Sequence, residues 1–170
     1  MFQKLYPTIY AESAYIVDFK EYYKKGYRAV VLDVDNTLVG HDEPADERAI
    51  SFFRNLRAIG FRTCILSNND EPRVKPFADA VDSLFVCRAA KPSPKGYQKA
   101  MRLCGSTKET TLFMGDQLFT DIWGANRAGI RSILVKPMKK DILLQIRLKR
   151  YGEKIIMPFY RRYQRKHKPS

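Results

Sequence analysis

The C-terminal end of this chain is almost devoid of acid. Residues 139–170 carry two Asp or Glu against eleven Lys or Arg, whereas residues 29–138 carry thirteen against fifteen and residues 1–28 three against five. The formal net charge of +13 over 170 residues is therefore concentrated at one end, and the middle is close to neutral. Tyrosine is scarce where charge is balanced: Tyr97 is the only one of ten in the middle section. Cysteine is scarce everywhere. Cys64, Cys87 and Cys104 are an odd number without metal-ligand spacing, which argues against a disulfide framework or a cysteine zinc cluster and leaves small buried hydrophobes in a reducing cytosol. No apolar run reaches about 18 residues, so no membrane-spanning helix is expected. Met1-Phe2-Gln3-Lys4 lacks the charged-then-apolar order of a secretory signal. The expected location is the cytoplasm, with peripheral contact at the inner membrane surface left open. No internal repeat is visible.

The length suffices for one domain with its own core. Five apolar runs, Ala29–Val34, Arg62–Leu66, Ser83–Val86, Thr111–Met114 and Ser132–Val135, read as strands. The amphipathic stretches between them, about 45–59, 72–79, 94–104 and 119–127, read as helices. Asp46-Glu47 place acids in a first helical turn, Pro94 suits a helix start, and Gly60 and Gly129 suit helix ends. Strand–helix alternation with short links predicts an α/β fold, a single doubly wound parallel sheet of about five strands. The expected organisation is a flank, 1–28, packing on a core, 29–138, followed by a basic aromatic extension, 139–170. The flank contains a short helix from Asp18 to Lys25, closed by Gly26. In the extension, Leu144, Leu148 and Tyr151 share a helical face, Pro158 is expected to break the helix, and Lys166 to Ser170 to fray.

The chemistry-bearing residues lie at strand ends. Asp33-Val34-Asp35-Asn36-Thr37 follows the first apolar run and Leu66-Ser67-Asn68-Asn69 the second. Lys91-Pro92 follows the third, and Gly115-Asp116-Gln117 with Thr120-Asp121 the fourth. In a parallel sheet all four would collect at the carboxyl edge, where such sheets place their ligands. Residues i and i+2 of an extended chain share a face, which would aim Asp33 and Asp35 at one point. Two acids buried together are costly unless a cation or a proton compensates them, so the pair is a functional candidate on energetic grounds alone. Each motif also has a plain reading. Ser67-Asn68-Asn69 alone is an ordinary turn sequence, Lys91 alone a solvated lysine, and Thr120-Asp121 a helix cap. Their order on successive strands is what promotes them. His41 reads as an exposed polar residue, and His167 carries no role.

Together the four motifs resemble those of the haloacid dehalogenase (HAD) superfamily of aspartate-nucleophile phosphotransferases, over about residues 29–136. Leu5-Tyr6-Pro7, Gly26 before the first strand and the run Asp35-Asn36-Thr37-Leu38-Val39 look like the YqeG-type branch of its subfamily IIIA. That branch is similar in turn to phosphatidylglycerophosphate phosphatases. The resemblance implies Asp33 as a nucleophile forming an aspartyl-phosphate, and Mg²⁺ held by Asp33, the backbone carbonyl of Asp35 and Asp116. It implies Lys91 as the cation that holds Asp33 and the phosphoryl group together, and Ser67 with the Asn68 N–H as donors to phosphoryl oxygens. Asp121 and Thr37 become supporting residues around metal and lysine. Asp35 becomes the acid that protonates the leaving oxygen and then activates water, a residue that P-type ATPases and dehalogenases of the superfamily lack. A phosphatase or a mutase is therefore implied. Asp33 to Ser67 is 34 positions and Ser67 to Lys91 is 24. Neither gap holds a cap domain of about 50 residues, and mutases need a cap to retain their intermediate. A capless phosphatase is expected.

The basic end has three readings: a solvated extension that aids solubility, an element lying on anionic headgroups, and a nucleic-acid contact in which cations meet phosphates and rings stack on bases. The open site and the resemblance to a lipid phosphatase favour the membrane. The expected substrate is phosphatidylglycerophosphate or a similar anionic lipid phosphate. A nucleotide or polynucleotide end phosphatase is the alternative among enzymes, and a non-catalytic RNA-binding or assembly protein on a HAD scaffold the alternative outside them.

Overall fold

A computed structural model describes residues 2–139 and 144–166, the side chains of residues 144 and 145 excepted. The apolar runs pair in register into one sheet of β1 (Ile9–Ala11), β2 (Ala29–Leu32), β3 (Arg62–Leu66), β4 (Leu84–Val86), β5 (Thr111–Gly115) and β6 (Arg131–Val135). Every pairing is parallel, and the order across the six strands is β1-β6-β5-β2-β3-β4. The central strands are continuous apolar runs because both faces are covered. Val30, Leu32, Ile65, Leu112, Met114 and Ile133 face α1 (Phe19–Lys24), α2 (Glu47–Ile59) and α3 (Glu71–Val81). Their neighbours of opposite parity, Val31, Cys64, Leu66 and Phe113, face α4 (Pro94–Cys104) and α5 (Trp123–Arg127). A third apolar cluster, Leu118, Ile122, Leu134 and Ile156, attaches α6 (Leu144–Lys166) to this second face.

The sheet has six strands where the apolar runs indicate five. β1 is three residues long, too short to show a period, yet it pairs with β6 from Ile9–Ile133 to Ala11–Val135. β2 stops at Leu32, so Asp33 and Asp35 leave the sheet in a turn closed by a bridge between Asp35 and Val39. Asn36 takes φ 61° in that turn, a conformation asparagine tolerates. Helix ends follow the expected chemistry. Asp46 caps α2 by accepting from the Ala49 N–H at 2.7 Å, Gly60 ends it at φ 116°, and Pro94 opens α4. The stretch 119–127 divides into a wide π-helical turn, Leu118–Ile122, and α5.

Pro158 does not break α6, which runs through it to Lys166. A proline inside a helix costs about 3 kcal/mol. Here Ile156 and Tyr160, buried on either side of it, hold both halves of the helix to the core. The Tyr160 ring packs on Tyr6 with centroids 5.5 Å apart. Fraying of residues 167–170, His167 included, concerns positions outside the described residues, as does the side chain of Leu144. No helix among the described residues is long and apolar enough to cross a membrane. β2 leads to α2 through residues 33–46 and β3 to α3 through residues 67–70, so no cap domain interrupts the sheet edge.

Candidate active site

The segments that follow β2, β3, β4 and β5 converge on one pocket of about 290 Å³. Asp33, Asp35, Ser67, Asn68 and Lys91 line it, together with His41, Gln117 and two residues of α6, Ile146 and Lys149. The Asp33 main chain is still tied to the sheet, its N–H donating to the Met114 carbonyl at 2.9 Å. Lys91 Nζ lies 2.6 Å from Asp33 Oδ1 and 2.7 Å from Asp121 Oδ1, and all three residues are buried. Asn68 fixes the lysine through its main chain: the Lys91 N–H donates to Asn68 Oδ1 at 2.7 Å, and Asn68 Nδ2 donates to the Lys91 carbonyl at 3.2 Å. The Thr37 hydroxyl stands 3.3 Å from Asp33 Oδ2 and 3.4 Å from Asp116 Oδ1.

Asp121 serves the turn and the site at once. While Oδ1 holds Lys91, Oδ2 accepts the Gln117 N–H at 3.0 Å, so the local role and the site role coexist. Gly115 makes room for it, since a Cβ there would lie 2.6 Å from the Asp121 carboxylate. The hydroxyl of Tyr97, buried in α4, reaches the carbonyls of Thr120 and Asp121 at 3.0 and 2.9 Å and fixes the same turn from the core side.

Electrostatics leave this cluster short of positive charge. Burial pushes the Asp33 carboxyl up to about 7, with Lys91 opposing and Asp121 adding to the rise. Burial, then the charges of Asp121 and Asp33, raise Asp116 well above the carboxylate range, against the pull of Arg150. Burial also works against the Lys91 charge, but Asp121 and Asp33 outweigh it and raise the ammonium above its usual range. Carboxylate oxygens of Asp33, Asp116 and Asp121 lie within 4.8 Å of one another. Buried oxygen donors that crowd together and hold each other's protons on suit a hard divalent cation, which would relieve both terms.

Asp35 shares the pocket but has other partners. Its Oδ1 accepts from Arg73 at 2.6 Å and from the Asp42 N–H at 3.0 Å, and its Oδ2 from Asn69 Nδ2 at 2.8 Å. Its carboxylate groups with His41 and Asp42, apart from the Asp33 cluster. His41 pairs with Asp42 at 3.3 Å. The motifs do not indicate Arg73, and they contain Asn69 without giving it a role. A cation in the first turn of a helix, where the dipole disfavours it, is the legible sign of Arg73. Arg150 of α6 is the larger omission. Its guanidinium bonds Asp116 at both Oδ2 and the main-chain carbonyl, and reaches Glu153 Oε2 at 2.9 Å. Glu153 Oε1 in turn accepts the Leu118 N–H at 2.7 Å. An acid retained three residues from an arginine, in a segment with only one other acid, is the sign the sequence carries.

The model of the haloacid dehalogenase-like hydrolase family matches residues 39–129. A Bacillus subtilis (strain 168) protein described as "Probable phosphatase YqeG" is 32% identical over 157 residues, covering 92% of this chain and 91% of its own. The chain belongs to the haloacid dehalogenase-like hydrolase family. It is a HAD enzyme of the phosphatase type. Phosphatidylglycerophosphate phosphatase 1 of Arabidopsis thaliana is 27% identical over 176 residues, 92% of this chain but 51% of its own length, so the present chain spans about half of it. Solved structures share the fold. A Listeria monocytogenes serotype 4b protein superposes with TM-score 0.55 at 18% identity, over 68% of this chain and 84% of that one. The cobalt-bound deoxy-D-mannose-octulosonate 8-phosphate phosphatase of Haemophilus influenzae gives 0.52 at 17%, over 65% and 69%.

Proposed function

We infer that this HAD phosphatase is a Mg²⁺-dependent phosphomonoester hydrolase acting through an aspartyl-phosphate on Asp33. The observation that carries the reading is the Lys91 ammonium clamped between Asp33 and Asp121. It holds one oxygen of Asp33 and leaves the other, Oδ2, beside the Thr37 hydroxyl at the pocket. Asp33 attacks phosphorus, the bond to the leaving oxygen breaks, and Asp35 gives that oxygen a proton. Asp35 then takes a proton from the water that attacks the phosphoryl-aspartate, and phosphate leaves with Asp33 restored. Because Arg73 and Asn69 bond the same carboxylate oxygens, the transfer from Asp35 requires at least one of these contacts to open. Ser67, with the Asn68 N–H, supplies donors to the phosphoryl oxygens as charge builds on them. Asp33, Asp116 and the Asp35 carbonyl would hold Mg²⁺, with Asp121 close by. Bound there, the ion supplies the positive charge that lets an anionic ester approach an aspartate.

Phosphatidylglycerophosphate, or a similar anionic lipid phosphate, fits best as substrate. A pocket of about 290 Å³ accepts a phosphorylated headgroup and leaves a large body outside, being at the small end of ligand sites. The named activity of the Arabidopsis relative supports the same choice. Phosphate release with Mg²⁺ from dispersed phosphatidylglycerophosphate, nucleotides and end-phosphorylated oligonucleotides distinguishes the substrate classes. The expected result is turnover of the lipid phosphate that Asp33→Asn abolishes. Turnover confined to nucleotides or oligonucleotides overturns the substrate, and turnover unchanged by Asp33→Asn overturns the mechanism.

A further inference from the structure

α6 is apolar on two faces, and the described residues cover only one. On the inner face Ile156 and Tyr160 are buried, and Gly152 approaches Phe119 so closely that a Cβ would lie 2.9 Å from its ring. On the outer face Leu148, Tyr151, Ile155 and Phe159 remain 61, 60, 64 and 51% exposed. At 3.6 residues per turn these four fall within an arc of about 80°, a continuous stripe of roughly three turns. Single exposed apolar residues are normal, but a contiguous stripe marks an interaction surface. The Phe2 ring, 5.9 Å from Phe159, meets only the end of it. About 40–80° further round the helix runs a row of exposed cations, Arg147, Lys154, Arg161 and Arg165. Glu153, the acid of the described helix, is turned to the core by Arg150 and Leu118.

An apolar stripe beside a row of cations, cleared of acid, is complementary to an anionic bilayer: headgroups meet the cations and the acyl boundary takes the leucine, isoleucine and phenylalanine. Nucleic acid would use the cations and leave the stripe in water. A second copy packed antiparallel about a two-fold axis would set one row of cations near another. We propose that α6 docks this enzyme on an anionic membrane surface through Leu148, Tyr151, Ile155 and Phe159. The same helix lines the catalytic pocket with Ile146 and Lys149 on its inner side, so docking the outer stripe holds that pocket one helix diameter, roughly 10 Å, from the lipid surface. The purpose of docking rests on the lipid-phosphate reading; the stripe and its cations stand without it.

The test is co-sedimentation of the full chain with phosphatidylcholine vesicles, with and without phosphatidylglycerol as the minor component. The full chain is expected to bind the anionic vesicles only. Two triple variants, Leu148→Ser/Ile155→Ser/Phe159→Ser and Arg147→Gln/Lys154→Gln/Arg161→Gln, are each expected to lose about tenfold or more of that binding, with circular dichroism and hydrolysis of water-soluble p-nitrophenyl phosphate unchanged. Docking is overturned if the full chain ignores anionic vesicles, or if the serine variant binds them as well as the parent. It is also overturned if the serine variant instead turns a lipid-free dimer into a monomer. Vesicle binding without hydrolysis of phosphatidylglycerophosphate leaves docking standing and removes the substrate reading. Hydrolysis by a chain that ignores vesicles does the reverse.

Discussion

Asp33 and Asp35 stand two positions apart and have different surroundings, which is why the proposed mechanism gives them different roles. Asp33 is buried against Lys91 and Thr37, while Asp35 is held by Arg73, Asn69 and the Asp42 N–H. Extended geometry predicts that two such acids point the same way. The strand ends before them, and the turn divides them between two clusters of one pocket. Residue types were therefore legible and partners were not. Asp33, Ser67, Lys91 and Asp116 announce themselves by their positions after strands, whereas Arg73 and Arg150 depend on how helices dock. In the proposed mechanism Asp35 is the proton-transfer group, so Asp35→Asn is expected to lower kcat about 10²–10⁴-fold. Steady-state kinetics decide this, and an unchanged kcat removes Asp35 from the chemistry.

At the scale of elements, α6 departs furthest from its expected character. Composition suggests an appendage ended by Pro158, yet the helix continues and brings Arg150 onto Asp116. The sequence could not show this, because the partners of Ile156 and Tyr160 lie far away along the chain, at Leu118, Leu134 and Tyr6. One Asp116 oxygen faces Thr37 and the other is anchored by Arg150, so Arg150 would be a positioning residue for Asp116 as the proposed metal ligand. Arg150→Ala is expected to weaken Mg²⁺ binding about 10–100-fold in titration calorimetry. Equal or tighter binding would show that the arginine competes with the ion. Pro158 is exposed and interrupts the helix ladder. Pro158→Ala is thus expected to raise stability by about 1–3 kcal/mol in urea unfolding. A loss of stability would mean that the helix does not run straight through this position.

Taken whole, the molecule places a near-neutral catalytic core beside a strongly basic, aromatic helix. Alternation of apolar runs and amphipathic stretches was enough to give the parallel sheet, since each central strand is mostly apolar. β1 escaped because three residues between a proline and a polar loop carry no period. The acidic cluster shows why the core is built as it is. Asp33 and Asp116 are each pushed up by burial and by the other acids, so the site is poised for one more cation and for an anionic ester that only cations can admit. In the proposed mechanism the phosphoryl group passes through Asp33. The most direct measurement of that passage is an acid quench of the Asp35→Asn protein during turnover of phosphatidylglycerophosphate with Mg²⁺, followed by peptide mass spectrometry. A phosphoryl group is expected on Asp33, absent without Mg²⁺ and absent from Asp33→Asn. Phosphate released with no modification of Asp33, or a phosphoryl group found on another residue, would contradict it.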